Sequence, residues 1–470
     1  MTVIPISLGS GSNPSRVTAG GAARFINCYL EKQGEDAKAP SIVVASDGLA
    51  EFVTLPNGPI RAMIEVGAYL YVVAGRTFYR VSSSGASDIL GGVPTSGLVH
   101  IARNRRDSPH IGIVSGGRYW VCDTADGSYV EITASDIGVA TFEPKSITVM
   151  DGYGILPVTS SLWYTSDLDD LMTIDPLEFA KAESNPDEIV TVATREGEVV
   201  IFGTRSTEFW QDTGDVDFAF KRSMAIELGC LAAGSVAKVD RTLLWIAHDG
   251  TVRVMNGYGG DRVSTHPVER AIASVDPNTI TATTWWGRGH TFYAISSDDW
   301  TWVYDVGGEW HERIGYDLTR WSVAFCERFG NDLVAGASAS GTLYKMSHDY
   351  LDEDGSPLIM TVQTPPVHAF PMRLAVSALY VDFAPGVGLA TGASQDVAPE
   401  LMVSYSDNGG QTWSAERRVS IGRQGDMLRR GILRRLGIVG PVGRTFKISA
   451  SASVVRALLG AALDADKLVA

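Results

Sequence analysis

The sequence predicts an all-β protein: a β-propeller of about seven four-stranded blades, six being the alternative, followed by a C-terminal antiparallel β-sandwich. Strand-sized apolar runs joined by tight turns repeat with a period in the low to middle forties, which is the size of a propeller blade. The repeat stops near residue 350, where prolines precede longer alternating runs. A chain of 470 residues is also too long for one ordinary core, unless that core is a ring of repeats.

Residues 1–59 precede the repeats. They are rich in Gly, Pro and Ser and show little periodicity before Ser41–Ala45 and Glu51–Leu55. We expect an extended arm followed by the strand that enters the propeller. Such an arm would either reach a neighbouring subunit or cover the first blade.

Residues 60–358 contain seven units of strand-sized runs and are expected to form the propeller. In Leu177–Trp210, a polar crossing leads into Ile189–Ala193 and Val199–Gly203, with a turn between these two segments. The second runs of the units place seven residues at equivalent positions, about 41 to 48 residues apart: Tyr71, Ile113, Ile155, Ile201, Trp245, Tyr293 and Val334. The third runs carry aromatic residues that fill the space between blades: Phe78, Tyr119, Trp163, Phe209, Trp302 and Tyr344. Six blades result if the first or seventh unit belongs elsewhere.

Residues 359–470 are expected to form the separate sandwich. Leu351–Pro357 is an acidic turn, and Pro365, Pro366 and Pro371 mark a boundary. The runs beyond it, such as RLAVSALYVDF and RTFKISAS, alternate apolar and polar residues. This alternation is typical of antiparallel strands that pack in two sheets.

The overall charge and the cysteines exclude several classes of protein. The net charge of −15 argues against a general nucleic-acid binder, whose affinity would come from neutralising phosphates. The four cysteines lie roughly a hundred residues apart without a CxxC pair, which indicates buried thiols rather than a zinc site or a disulfide framework. The N-terminus does not resemble a signal peptide, and no apolar run is long enough to span a membrane. We therefore expect a protein made in a cytoplasm.

No catalytic, metal-binding or cofactor-binding site is predicted. The histidines show no HxxxH spacing, and the GxSxG and GxxxxGK[ST] motifs are absent. Several carboxylates are available for glycosidase-like chemistry: Asp167, Asp169, Asp170, Glu183, Asp187, Asp298 and Asp299. That chemistry requires two of them to face each other across a cleft, which a sequence does not reveal. A carbohydrate-active or carbohydrate-binding propeller therefore stays the alternative to a non-enzymatic protein without a small-molecule substrate.

Two clusters are candidate contacts with partner molecules. The first is a run of arginines in a strongly acidic chain: Arg417, Arg418, Arg423, Arg429, Arg430, Arg434 and Arg435, with Arg444 beyond them. The planar guanidinium suits an acidic protein surface or a DNA backbone, and we favour a protein. A solvated hairpin face is an equally open interpretation. The second cluster lies in the crossing and contains Glu183, Asn185 and Asp187.

Six segments of the chain, together with its start, resemble a known family. They are Trp163–Asp170, Phe179–Asp187, Val200–Trp210, Glu227–Cys230 and Asn256–Gly259, followed by Ser264-Thr265-His266, and the start contains Asn27-Cys28-Tyr29. With these residues the chain resembles the packaged-DNA stabilisation proteins of short-tailed bacteriophages, the tail hub or nozzle. The resemblance covers nearly the whole length and is strongest from about residue 160 to 270.

The resemblance implies a structural protein of the phage head-to-tail region, located in the virion tail and made in the cytoplasm of a bacterial host. It implies a homohexameric ring beneath the portal and adaptor proteins, which closes the channel, retains packaged DNA and attaches a tail needle and tailspikes or fibres. DNA would pass through the lumen without sequence-specific binding. We expect the arginine-rich sandwich or the N-terminal arm to dock on the adaptor side.

Overall fold

A computed structural model describes residues 2–17, 20–185, 187–215 and 218–468, and nearly all of its regular structure is β-strand. The short helices are α1 (Ala134–Ile137), α2 (His266–Ala273) and α3 (Ser394–Val397), with 3-10 turns at Ala233–Ser235 and Pro277–Thr279. Within the described residues, none of the helices has the length and apolar character needed to cross a membrane. The all-β prediction is confirmed.

The N-terminal segment supplies five strands to both domains. They are β1 (Thr2–Ile6), β2 (Arg24–Ile26), β3 (Cys28–Lys32), β4 (Ser41–Ala45) and β5 (Gly48–Thr54). The first four pair with strands of the sandwich, and β5 pairs with a strand of the last blade. Residues 1–59 were predicted to be an extended arm with an entering strand, whereas their described part is built into both sheets of the sandwich and into the ring.

Seven four-stranded blades form the propeller; six of them are separate sheets, and the strands of blade six belong to a nine-stranded sheet. Blades one to three contain β6 (Ile60–Val66), β7 (Tyr69–Ala74), β8 (Thr77–Ser82) and β9 (Ser87–Gly92); β10 (Val99–Arg103), β11 (His110–Ser115), β12 (Arg118–Asp123) and β13 (Tyr129–Ile132); and β14 (Thr148–Met150), β15 (Tyr153–Pro157), β16 (Leu162–Thr165) and β17 (Phe179–Lys181). Blades four and five contain β18 (Ile189–Arg195), β19 (Glu198–Gly203), β20 (Thr207–Asp212) and β21 (Phe220–Ile226); and β22 (Ala237–Val239), β23 (Thr242–Ile246), β24 (Val252–Asn256) and β25 (Gly259–Arg262). Blades six and seven contain β26 (Thr281–Gly287), β27 (His290–Ser296), β28 (Thr301–Asp305) and β29 (Trp310–Glu312); and β30 (Val323–Phe329), β31 (Asp332–Ala337), β32 (Thr342–Ser347) and β5.

The ring closes through its innermost strands and through β5. The first strand of each blade contacts the first strand of the next, and β30 of blade seven contacts β6 of blade one. Strand β5 completes blade seven by pairing antiparallel with β32, for example Thr54 with Thr342. The closing strand thus comes from the N-terminal side of blade one, so the first and last blades are tied together. The seven residues aligned from the sequence all lie on second strands, where they are buried.

Apolar cores lie between neighbouring blades. Between blades one and two, for example, Tyr71 and Phe78 pack with Ile111 and Trp120. Because each blade buries both faces of its sheet, the sequence of its second strand is a nearly continuous apolar run. Five of the six aromatic residues expected to fill these spaces are buried, and Tyr344 is half-buried.

The sandwich contains two sheets around one core. Its C-terminal strands are β33 (Met360–Gln363), β34 (Arg373–Phe383), β35 (Glu400–Ser406), β36 (Arg417–Ser420), β37 (Gly431–Val439), β38 (Thr445–Ala450) and β39 (Ala457–Leu468). One sheet has the order β3-β4-β39-β34-β37, with β1 also paired to β39; the other has the order β2-β33-β38-β35-β36. Phe25, Leu379, Leu401 and Phe446 are fully buried between them.

The second sheet continues into the propeller. Strand β2 pairs antiparallel with β33 and parallel with β29, the outer strand of blade six. Asn27 follows β2 with φ 55° and holds both domains: its Nδ2 donates to the carbonyls of Ile314 (2.9 Å) and Ile359 (3.1 Å), and its Oδ1 accepts from the Ile314 N–H. Arg24 adds an ion pair to Glu312. A shared sheet and these bonds join the two domains.

A buried ion pair lies at the same junction. The Arg313 guanidinium donates to a Glu353 oxygen at 3.3 Å and to the Asp47 carbonyl at 3.1 Å, and it stacks 4.2 Å from the centre of the Trp321 ring. The Trp321 indole N–H donates to the same Glu353 oxygen at 3.1 Å. Burial raises the pKa of the Glu353 carboxyl, and Arg313 opposes that rise.

Candidate assembly surfaces

The predicted arginine run lies at the far end of the sandwich. We call residues 417–439 the arginine hairpin; it comprises β36, the loop 421–430 and β37. Strands β36 and β37 are the edge strands of the two sheets. Strand β36 is five strands away from β29, or about 24 Å at ~4.8 Å per strand. The hairpin therefore lies well away from the propeller.

The arginines of the hairpin are all exposed: Arg417, Arg418, Arg423, Arg429, Arg430, Arg434 and Arg435. Two of them have partners within the chain: Arg418 lies 3.7 Å from Glu416, and Arg417 donates to the Arg434 carbonyl at 2.8 Å. For the five from Arg423 onward, no carboxylate of the described residues lies within ion-pair distance. Their charges are available to a partner.

Two large apolar side chains stand among these arginines. Met427 is 65% exposed and Leu428 is 93% exposed. Their loop is hydrogen-bonded to the rest of the sandwich, since the Gly425 N–H donates to the Gly386 carbonyl, and it has an internal turn in which the Asp426 N–H donates to the Arg423 carbonyl. Exposed apolar side chains held in place and bordered by charge are typical of a protein-binding surface.

The eighth arginine of the run has a structural role. Arg444 is buried, pairs with both carboxylate oxygens of Asp407 at 2.7 Å, and donates to the Leu436 carbonyl. Its guanidinium also stacks 4.0 Å from the centre of the Tyr405 ring. It fixes the turn after β35 to the edge of β37. The sequence could not separate Arg444 from the exposed arginines, because its contacts with Asp407 and Tyr405 are distant in the chain.

The second predicted cluster lies between blades three and four, apart from the hairpin. Asp187 joins the crossing to the loop between β19 and β20: its Oδ2 accepts the N–H groups of Arg205 (2.7 Å) and Ser206 (2.9 Å). Glu183 is exposed and lies 3.5 Å from Lys181. These residues and the half-buried Asn185 line an open cavity of about 540 Å³. That they contact a partner stays a prediction.

A third surface was not recognised in the sequence. We call residues 167–179, which join β16 to the start of β17 in blade three, the acidic ledge. It exposes three large apolar side chains: Leu168 (58%), Leu177 (80%) and Phe179 (43%). It also contains five carboxylates: Asp167, Asp169, Asp170, Asp175 and Glu178. In the sequence Asp167, Asp169 and Asp170 were considered as catalytic groups, Asp175 and Glu178 were not singled out, and exposed apolar residues look like core residues there.

The ledge has an ordered backbone. Asp170 accepts the Met172 N–H at 2.9 Å and the Thr173 hydroxyl at 2.8 Å, and the Asp175 carboxylate accepts the Leu177 N–H at 2.8 Å. Burial raises the pKa of Asp167, and the nearby Asp170 and Asp175 raise it further. Turn hydrogen bonds thus engage Asp170 and Asp175, while Asp169 is exposed.

The remaining candidate chemical groups are buried or dispersed. Cys28, Cys122, Cys230 and Cys326 are free, buried thiols. In the part of the chain that the structure describes, no three His, Cys, Asp or Glu side chains are arranged to hold a metal ion.

These features define a two-domain protein in which a closed seven-bladed propeller carries a β-sandwich. Family models of bacteriophage P22 Gp10 match both domains: the β-propeller model matches residues 33–327 and the β-sandwich model matches residues 360–466. The chain belongs to this family of phage structural proteins, the packaged-DNA stabilisation proteins. The resemblance seen in the sequence is confirmed, and the family implies a location in the virion.

Comparisons with individual proteins add little. No curated protein matches the chain. Among solved structures, the WD40 β-propeller domain of Doa1 is 10% identical, with 64% of this chain and 96% of that chain covered and a TM-score of 0.42. The Raptor protein of Chaetomium thermophilum is 11% identical, with 64% and 30% covered and a TM-score of 0.44. The computationally designed protein Ika8 is 14% identical, with 63% and 99% covered and a TM-score of 0.38. We draw no functional conclusion from these likenesses.

Proposed function

We propose that six copies of this chain form a ring beneath the portal and adaptor of a phage particle. The ring closes the DNA channel after packaging, retains the genome, and offers attachment sites for a tail needle and for tailspikes or fibres. Membership of the P22 Gp10 family supports the phage role. A closed propeller joined to a sandwich by a shared sheet suits a component that must resist pressure without bending.

The uneven distribution of charge is the observation that carries this proposal. Residues 359–470 contain 12 Lys and Arg against eight Asp and Glu, which gives a net charge of +4. Because the whole chain has a net charge of −15, residues 1–358 have a net charge of −19. An acidic body repels DNA that passes it, since DNA binding depends on neutralised phosphates. The basic hairpin at one end marks a contact with an acidic partner.

The partner of the hairpin is a protein surface rather than DNA. Met427 and Leu428 stand among the arginines, and a phosphate backbone offers such side chains nothing to pack against. A protein surface can bury them and pair its carboxylates with the surrounding guanidinium groups. The carbohydrate-processing alternative lacks comparable support, because Asp170 hydrogen-bonds within its own turn and Asp187 binds the backbone of the loop between β19 and β20.

The test uses DNA-filled phage heads assembled without this chain. Purified protein is added, and we expect the heads to keep their DNA through nuclease treatment and dilution. Cryo-electron microscopy should then show a sixfold ring at the portal vertex. Heads that still lose DNA, or a vertex without a six-copy ring, would contradict the proposal. A DNA-binding assay at physiological salt should show no stable complex.

A further inference from the structure

We infer that the arginine hairpin of one copy docks on the acidic ledge of a neighbouring copy. This inference rests on the proposed ring and identifies its contact. The two surfaces are complementary in charge, since the hairpin has arginines without carboxylate partners and the ledge has five carboxylates. Each also exposes large apolar side chains, Met427 and Leu428 on the hairpin and Leu168 and Leu177 on the ledge.

The topology prevents the two surfaces from meeting within one chain. The sandwich extends from the outer strand of blade six, and the ledge belongs to the outer part of blade three. In a closed ring of seven blades, blades six and seven are the farthest from blade three. The hairpin lies about 24 Å further out, five strands beyond β29. A contact between hairpin and ledge is therefore a contact between copies.

A contact between two different surfaces has a defined geometric consequence. Each copy presents one hairpin and one ledge, so every copy can bind a neighbour on each side. Such head-to-tail contacts form a closed ring when the rotation per copy divides a full turn, and otherwise an open filament. A self-complementary patch would instead stop at a dimer. Two different surfaces on each copy thus meet the requirement for a ring.

The chemistry favours a stable contact. Arginine binds carboxylates through paired, charge-assisted hydrogen bonds, and such pairs strengthen when neighbouring apolar groups exclude water. Leu428 and Leu177 are the most exposed apolar side chains of their two surfaces and would supply that exclusion. Because the turns of both segments are already hydrogen-bonded, little conformational entropy is lost when they bind.

The first test uses variants that each disable one surface. The hairpin variant carries Arg429→Glu and Arg430→Glu, and the ledge variant carries Asp169→Asn and Leu177→Arg. A matched control reverses two exposed arginines elsewhere, with Arg76→Glu and Arg241→Glu. Mass photometry over a concentration series at low salt measures self-association.

We expect wild type and the control to self-associate alike, and each single-surface variant to associate at least about 10-fold more weakly. An equal mixture of the hairpin and ledge variants should give a 1:1 dimer and nothing larger, because one matching pair of surfaces remains. Variants that assemble like wild type would overturn the inference. A wild-type chain that stays monomeric throughout, or a mixture that forms no dimer, would also overturn it.

A cross-linking experiment locates the contact directly. A Leu428→Cys variant mixed with a Leu177→Cys variant should form a disulfide-linked dimer under mild oxidation, and either variant alone should not. No cross-link in the mixture would contradict the contact. If the hairpin variant loses only DNA binding while self-association persists, the hairpin is a phosphate contact and the inference fails.

The variants also separate this inference from the proposed function. If wild type forms a ring on phage heads and both variants form it equally well, the inference fails and the proposed function stands. If wild type forms no ring on the heads, the proposed function itself fails. Cryo-electron microscopy of the heads distinguishes these outcomes.

Discussion

Replacing Arg313 by methionine should strongly destabilise the junction between propeller and sandwich. The Arg313→Met change keeps most of the side-chain volume but leaves the Glu353 carboxylate buried, and among the described residues only the Trp321 N–H is then directed at it. Removing one partner of a buried ion pair typically costs about 3–5 kcal/mol, because the remaining charge has lost its compensation. We expect a loss of that size in the free energy of unfolding near neutral pH.

The loss should depend on pH in a definite direction. Burial already raises the pKa of Glu353, so its folded-state pKa lies above its unfolded value of 4.5, and the loss of Arg313 raises it further. A raised carboxyl pKa means that folding favours the protonated form, so stability falls as pH rises above the unfolded pKa. The deficit of Arg313→Met relative to wild type should therefore be smaller at pH 5 than at pH 8.

Urea unfolding followed by tryptophan fluorescence measures this effect, since Trp321 lies against both charged groups. The double variant Arg313→Met/Glu353→Gln serves as the control. It should regain most of the lost stability and lose the additional pH dependence, because no buried carboxylate remains. A single variant within ~1 kcal/mol of wild type, or a deficit equal at both pH values, would refute the reasoning, because a buried pair typically costs more.

Three further outcomes are expected. Asn27→Ala should lower stability by ~2–4 kcal/mol in thermal unfolding, since it removes three hydrogen bonds and puts alanine at φ 55°; Asn27→Gly, which tolerates that φ, should lose less. Burial raises the pKa of Glu327 to about 7, so the free energy of unfolding of the wild type should fall as pH rises from 4.5 to 7. Glu327→Gln lacks this loss, so its stability relative to wild type should be ~1–3 kcal/mol higher at pH 8 than at pH 5. Equal pH profiles of the two proteins would contradict this. Because burial raises the pKa of all four thiols, Ellman's reagent at pH 8 should label none in the native protein and four after unfolding; rapid native labelling would show that a thiol is accessible.

The blades could be predicted because their defining signal is local and repeated. Each second strand is covered on both faces, so residues such as Ile113, Ile155 and Ile201 stand in apolar runs at nearly constant spacing. The N-terminal strands carry no such signal. Strand β2 has only three residues and lies between strands that begin at Trp310 and Met360, and no local pattern reveals such distant partners.

Helix α2 shows a different limit. Residues 60–358 were expected to consist of strand-sized runs, and no helix was predicted among them. The helix has local signals, with Thr265 at its N-cap, the proline in its first turn, and Val268 and Ile272 one turn apart on its buried face. The expectation of strand-sized runs throughout the propeller left these signals unused.

The candidate surfaces were predictable only in part. An arginine run in an acidic chain is visible in the sequence, and the structure shows that seven of its members are exposed. The role of Arg444 depends on Asp407, 37 residues away. The acidic ledge could not be predicted, because the sequence does not show which leucines face solvent and Leu177 looks like a core leucine there.

The strand that closes the ring also determines when the propeller can finish folding during synthesis. The β5 hydroxyl of Thr54 contacts that of Thr342, 288 residues later in the chain. At a synthesis rate of about 5–20 residues per second, the segment that seals blade seven waits roughly 15–60 s for its partner to emerge from the ribosome. The strands before it wait longer, for the sandwich is made last. The sandwich is not a continuous piece of the chain, since β1 to β4 precede the propeller and β33 to β39 follow it, so a nascent or truncated polypeptide holds unpaired strand edges until almost all of it has been made.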